Sequence, residues 1–230
     1  MRDLMPTPRI HELPVEPEPD PKARRLARKA RRQENRRHAI LARAREVLVA
    51  HGPVAFTMEQ LAAAADTSKA TLYYYFRSRE DVVGALAVEV LRREVEALSR
   101  AVIHAETGID ALAALVRARV EHHLADPDGF RILYQWAPVL GDPQRLLLAE
   151  VHPLSAVVNT TLEAKLLRDR KSGLLHPAAD PRRLADLAWL TAHGLLSLAL
   201  SLSPADPSSW RALCDEACAT LVRGARACAN

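Results

Sequence analysis

Apolar residues recur along the chain at spacings of three and four, no segment shows the alternation of a strand, and the pattern predicts helices throughout. Ile40, Ala44, Val47 and Leu48 lie on one face of a first helix over 36–51, which Gly52-Pro53 ends. A short helix over 58–65 carries Leu61 and several small alanines. Another, Lys69 to about Tyr75, sets Leu72 and Phe76 four apart so that both face a core. After Ser78, the residues Val83, Leu86, Val90, Ala97, Leu98 and Val102 follow one face of a long helix running until Thr107-Gly108.

Farther along, one device repeats. Asp126-Pro127, Asp142-Pro143, Asp180-Pro181 and Asp206-Pro207 each place a capping acid before a proline, predicting helix starts near 127, 143, 181 and 207. Asp110 marks a fifth. Pro153 falls inside the segment 143–171 and predicts a kink near residue 152. The helix over 181–203 has no charged residue after Asp186 and is apolar on nearly all sides, so it needs covering on more than one side. Burying one side on the body and another on a second copy is the economical solution. The last helix, 208–226, puts Trp210, Leu213, Ala217, Leu221 and Val222 on one stripe and is its expected partner.

The segment 56–81, FTMEQLAAAADTSKATLYYYFRSRED, holds the densest chemistry. Thr57 and Gln60 form a capping-box pair, and Asp66-Thr67-Ser68 breaks the first short helix and caps the second. Two short helices joined by a three-residue turn make a helix-turn-helix, whose second helix enters the DNA major groove. With Leu72 and Phe76 inward, Lys69, Ala70, Thr71, Tyr73, Tyr74 and Tyr75 remain for other faces. Consecutive helical residues point about 100° apart, so three tyrosines in a row cannot share one buried face. Arg77 and Arg79 add cations. The strings T-x-x-x-L-A-x-x-A, T-S-K-A-T-L-Y-Y-Y-F and R-S-R-E-D closely resemble the DNA-binding domain of the tetracycline-repressor (TetR) family.

That resemblance implies an all-α homodimer with an N-terminal three-helix helix-turn-helix domain and a larger helical domain for ligand binding and dimerisation. It implies repression of a palindromic operator, relieved by a small molecule, and an interface made by the last two long helices. It also implies DNA contacts from Thr57, Ser68, Lys69, Ala70, Thr71, Tyr73, Tyr74, Tyr75 and Arg79, with Thr71 and Tyr73 touching DNA and Tyr75 on phosphate. Asp66, Thr67 and Ala70 stand where the family usually has Gly, Val and Gly.

Charge adds an arm. Residues 1–21 contain six of the 15 prolines and five acids, and predict an extended or disordered segment. Residues 22–37 then carry nine cations against Glu34 alone, in a chain of net charge only +4. Such a run, leading straight into the helix-turn-helix, fits an arm on DNA phosphates, frayed by its own repulsion when DNA is absent. The organisation expected is therefore a disordered acidic then basic arm (1–35), a DNA-binding domain (36–82) and a regulatory and dimerisation domain (83–230).

Three cysteines, an N-terminus unlike a signal peptide and no run near the roughly 18 apolar residues of a membrane span point to a cytoplasmic protein without membrane contact. Cys214 and Cys218 fit small buried residues, and adjacent His122 and His123 point apart, so neither pair predicts a metal site. No nucleophile elbow or phosphate loop is present, which argues against an enzyme and against a cofactor. His122, Tyr134, Trp136, Asn159, Trp189 and His193 are polar or aromatic groups in apolar helices, the candidates for an effector pocket. The alternative is an adaptor of the same fold that answers to a protein partner and has no small-molecule pocket.

Overall fold

In the computed structural model, residues 20–140, 152–201 and 207–226 are described. By compactness the chain divides into residues 1–39 and 40–230. The helices are α1 (Pro21–Ala55), α2 (Met58–Ala64), α3 (Lys69–Tyr75), α4 (Arg79–His104), α5 (Gly108–Ala125) and α6 (Pro127–Phe130). A π-helix (Arg131–Trp136) runs into α7 (Ala137–Leu140), followed by α8 (His152–Lys171), α9 (Pro181–Ser201) and α10 (Pro207–Ala225). One isolated antiparallel bridge, Leu175 to Arg226, is the extended pairing among the described residues. The fold is all-α with two domains.

The basic arm differs from expectation. Residues 21–37 are helical, not frayed, although their side chains are largely exposed. Asp20 caps the start, its carboxylate accepting from Lys22 N at 3.0 Å, and Glu34 pairs with His38 at 2.8 Å. Ala, Leu, Arg, Lys and Gln are strong helix formers, whereas like-charge pairs cost only about 0.2–0.5 kcal/mol each. Propensity wins. Residues 1–19 lie outside the described residues, as do the expected helix start at 143 and the stretch before the kink expected at Pro153; the described helix begins at His152, with Pro153 in its first turn.

Within 40–230, helical geometry in α1 breaks at Gly52, whose φ of 74° suits glycine. Ile40, Leu41, Ala44, Val47 and Leu48 of α1 then pack with Phe56, Leu61, Leu72, Phe76 and the first half of α4 in one core. Full burial of each such Leu stabilises by about 1.5–3 kcal/mol. Ile132, Leu133 and Ala137 belong to this same core. A second core gathers the end of α4 with α5, Phe130, α8, α9 and α10. The π-helix thus serves both, because Tyr134 packs against each.

Thr107 rather than Asp110 caps α5: its hydroxyl accepts from Asp110 N at 3.0 Å. Next to it, Gly108 sits where a Cβ would lie 2.5 Å from Leu166 N, so the backbones of α5 and α8 meet directly. Helix α9, 21 residues long, is apolar and long enough by composition to cross a membrane, contrary to the expectation that no run approaches that length. Its alternation of Leu and Ala has a clear inner stripe, Ala185, Ala188, Ala192 and Leu196, packed into the second core. Leu187, Leu190 and Leu198 lie on the opposite side and are exposed. On α10 the buried stripe is Cys214, Cys218 and Ala225, with Leu213 exposed rather than in it. Cys228 and Asp206 lie outside the described residues.

Candidate DNA interface and buried polar site

Helix α2 starts on a reciprocal cap: Thr57 Oγ1 accepts from Gln60 N at 3.2 Å and Gln60 Oε1 from Thr57 N at 3.0 Å. The turn to α3 passes through Asp66 with φ of 45°, a left-handed geometry that Asp tolerates. Ser68 caps α3, its Oγ accepting from Thr71 N at 3.1 Å. Lys69 reaches back to Glu59 of α2, and its hydrogen bond holds that carboxyl below its ordinary range. Leu72 and Phe76 fasten α3 to the core. Outward, Lys69, Ala70, Tyr73 and Tyr74 are exposed, while Thr71 and Tyr75 are half-buried. Tyr75 stands edge-on to Tyr74, ring centres 5.1 Å apart. Ser78 caps α4, and Arg79 at its start is held by Glu80 Oε1 at 2.7 Å and Phe56 O at 3.5 Å. A short helix offering a hydroxyl, cations and phenols from one rigid face can meet both base edges and phosphates.

A second constellation lies in the body, and its centre is Glu94 of α4, 2% exposed. Its Oε1 is 2.9 Å from Nε of Arg119, and its Oε2 accepts the Tyr134 hydroxyl at 2.6 Å and lies 3.4 Å from His123 Nε2. Burial pushes this carboxyl up, but His123, the Arg119 charge and the Tyr134 hydroxyl outweigh it and hold it at about 2. Arg119 is wholly buried, its guanidinium 4.4 Å from the Trp189 ring centre and 5.0 Å from that of Tyr134. Trp189 and His193 stack nearly parallel at 4.8 Å, and Phe130 closes against His123, Tyr134 and His193. Burial, then the Arg119 charge, lower the His193 pKa; burial, then His123, lower that of His122.

Three links join this site to the DNA-binding core. Tyr134 and Ile132 share the π-helix, Glu94 continues the α4 stripe of Val83, Leu86 and Val90, and Arg45 of α1 pairs with Asp126, the cap of α6.

The sequence pattern of the family described as bacterial regulatory proteins, tetR family, matches residues 40–86. Over this segment, which holds the helix-turn-helix, the chain is similar to the tetR family. No curated protein matches it. Among solved structures, a protein of unknown function from Rhodococcus sp. RHA1 is 26% identical, covering 84% of this chain and 96% of that one with a TM-score of 0.64. A tetR-family regulatory protein from Rhodococcus RHA1 shares 21% identity over 85% and 98%, TM-score 0.64. The transcriptional regulator FadR from Bacillus subtilis, in complex with stearoyl-CoA, shares 18% over 81% and 98%, TM-score 0.66. The match over 40–86 supports a helix-turn-helix DNA-binding segment, and the solved structures support the all-helical fold.

Of the body residues marked in the sequence, Tyr134, Trp189 and His193 come together, and His122 stands edge-on to His123 at their border. Two do not join them. Asn159 is on the exposed side of α8, and Trp136 packs against the DNA-binding core. Polarity within an apolar helix carries no direction, which is why the pattern alone did not separate these two from the three that cluster. Glu94, Arg119 and Phe130 were missed. The signal was available: Arg119 and His123 extend the α5 stripe of Leu112 and Val116, and Glu94 falls between Val90 and Leu98. A charge at a core position marks a site better than a polar residue anywhere on a helix.

Proposed function

We propose that this protein is a cytoplasmic, homodimeric repressor that leaves a palindromic operator when a small molecule enters its helical body. The observation that carries the reading is the π-helix, which packs Ile132 and Leu133 into the DNA-binding core and Tyr134 against the buried polar site. A ligand that rearranges the second must alter the first, provided it binds one spacing of the recognition helices better than the other. Coupling of roughly 1–3 kcal/mol, or 5- to 150-fold in operator affinity, is the usual scale.

On DNA, Thr71 and Tyr73 read bases, while Thr57, Ser68, Lys69, Ala70, Tyr74, Tyr75 and Arg79 surround them at the backbone. The basic helix before them adds phosphate contacts. Dimerisation uses α9, whose outer stripe of Leu187, Leu190 and Leu198 is exposed around Gly194, where a Cβ would meet nothing within 4 Å. Open space at a glycine amid exposed leucines fits close approach of a second copy, with Leu213 of α10 beside it. The test is sedimentation together with operator binding, titrated with candidate effectors. A monomer that binds operator at full affinity, indifferent to every effector, would overturn this reading.

A further inference from the structure

The guanidinium of Arg119 presents five N–H donors and carries a permanent charge. Its Nε faces Glu94 at 2.9 Å; NH1 and NH2 are buried and make no hydrogen bond of good geometry among the described residues. The Tyr134 and Trp189 rings offset the charge, and the Tyr134 hydroxyl, which donates to Glu94, also interacts with Arg119 without making a hydrogen bond of good geometry to NH1 or NH2. Nδ1 of His193 is likewise buried and unpartnered. Natural cores rarely leave such donors unspent, and where they do a missing acceptor is the usual reason. The two terminal nitrogens form a planar fork, the geometry that matches two carboxylate oxygens.

Charge sets the rest. Glu94 already neutralises Arg119, so an entering anion needs one more positive charge. Facing His193 are Glu94 from α4, Arg119 and His123 from α5 and Tyr134 from the π-helix; its own ring lies flat on Trp189, a surface that also suits an imidazolium. We propose that this cluster is the site of a small aromatic carboxylate, held by NH1 and NH2 of Arg119 and charge-balanced by one proton taken from solvent onto His193. The body of the ligand lies among the rings of Phe130, Tyr134 and Trp189. Trp189, 37% exposed and the outer of the two rings on Arg119, is the side chain that moves aside on entry. The assignment rests on the ligand-responsive reading above and names its chemistry.

The experiment is calorimetric titration of the full chain with benzoate, phenylacetate, cinnamate and 2-naphthoate, each beside its primary amide. At least one acid should bind and its amide should bind more weakly. Across buffers of different ionisation enthalpy, the binding heat should report uptake of about one proton. Arg119→Met should weaken the acid roughly 10- to 100-fold, the scale of a hydrogen bond to a charged group. Should that variant misfold because Glu94 is stranded, Glu94→Gln with Arg119→Met removes both charges, and should fold, keep DNA binding and lose the acid. Failure of all four acids at millimolar concentration, equal affinity for acid and amide, or binding without proton uptake would each overturn the proposal. Stearoyl-CoA bound equally by wild type and Arg119→Met, with release from DNA, would overturn it and leave the regulatory reading standing. An acid bound as described that never releases DNA would do the reverse.

Discussion

The basic helix makes a quantitative demand on DNA binding. At 100° per residue, Lys22, Arg25, Lys29, Arg32 and Arg36 fall within an arc of about 80°, and the stripe is about 21 Å long at 1.5 Å per residue. Each is exposed. Arg24, Arg28, Arg31 and Arg37 point elsewhere around the helix. A rigid helix lying on phosphates engages one side, so five cations per arm can each displace a condensed counterion and steepen the salt dependence by about 0.9, or about 4.5 per arm. Between 50 and 200 mM salt that alone amounts to roughly 500-fold in affinity per arm. If only three per subunit engage, a dimer's two arms still contribute a slope of about 5. The assay is fluorescence anisotropy against salt concentration, on operator and on unrelated DNA. Wild type is compared with Gln at the five stripe positions and with Gln at the four others, substitutions that keep helix propensity. The stripe variant should lose most of the arm's slope on both DNAs and leave the preference between them nearly unchanged, because phosphate contacts position without reading bases. Equal losses in the two variants would refute the oriented-helix reasoning, and unchanged slopes would show that the arm never reaches DNA.

Other consequences are as direct. Thr71→Ala with Tyr73→Ala should cost more affinity on operator than on random DNA, whereas Tyr75→Ala or Arg79→Ala should weaken both alike; an operator affinity untouched by the first pair would mean another face reads the bases. Leu198→Glu should give monomers by placing a charge in the α9 interface, and Gly194→Leu should do so without lowering protomer stability, since open space surrounds it; sedimentation as an unperturbed dimer would place the interface elsewhere. The carboxyl of Glu94 sits at about 2 against an ordinary 4.5, so its stabilisation is complete above about pH 4.5 and disappears as pH falls toward 2. Glu94→Gln should flatten that acid limb in thermal melts and cost about 3–5 kcal/mol at neutral pH by stranding Arg119; an unchanged limb would show that another group sets it.

The helix-turn-helix was legible because its determinants are local. Thr57 with Gln60, Ser68 and Ser78 each cap the helix they precede, and Leu72 and Phe76 both reach the core. Asp66 takes the left-handed turn expected of it. Farther along, local rules thin out. Apolarity all round α9 hid which side is inward, because Leu and Ala are both apolar and only packing against α5 decides that the alanine stripe goes in. The stripe read for α10 was displaced by one residue for the same reason: Leu213 and Cys214 rival each other, and the smaller one is buried. Glu94 and Arg119 escaped because each charge is tolerable in the core only in the other's company, and they lie on different helices. Pairing across 25 residues leaves no trace in either local pattern.

Residue number matters more than residue identity in the stretch Arg131–Trp136. A π-turn holds one residue more than the α-turn it replaces. In an ordinary α-helix one residue more or fewer turns everything that follows by about 100°, whereas the wide turn takes up that residue and keeps the following helix in phase. Deleting one residue there would close the wide turn and draw Ile132 and Tyr134, which lie within it, from the positions in which they reach their cores. Under the proposed reading, substitutions in this segment would retune the response, whereas an in-frame deletion would weaken the coupling between the two cores.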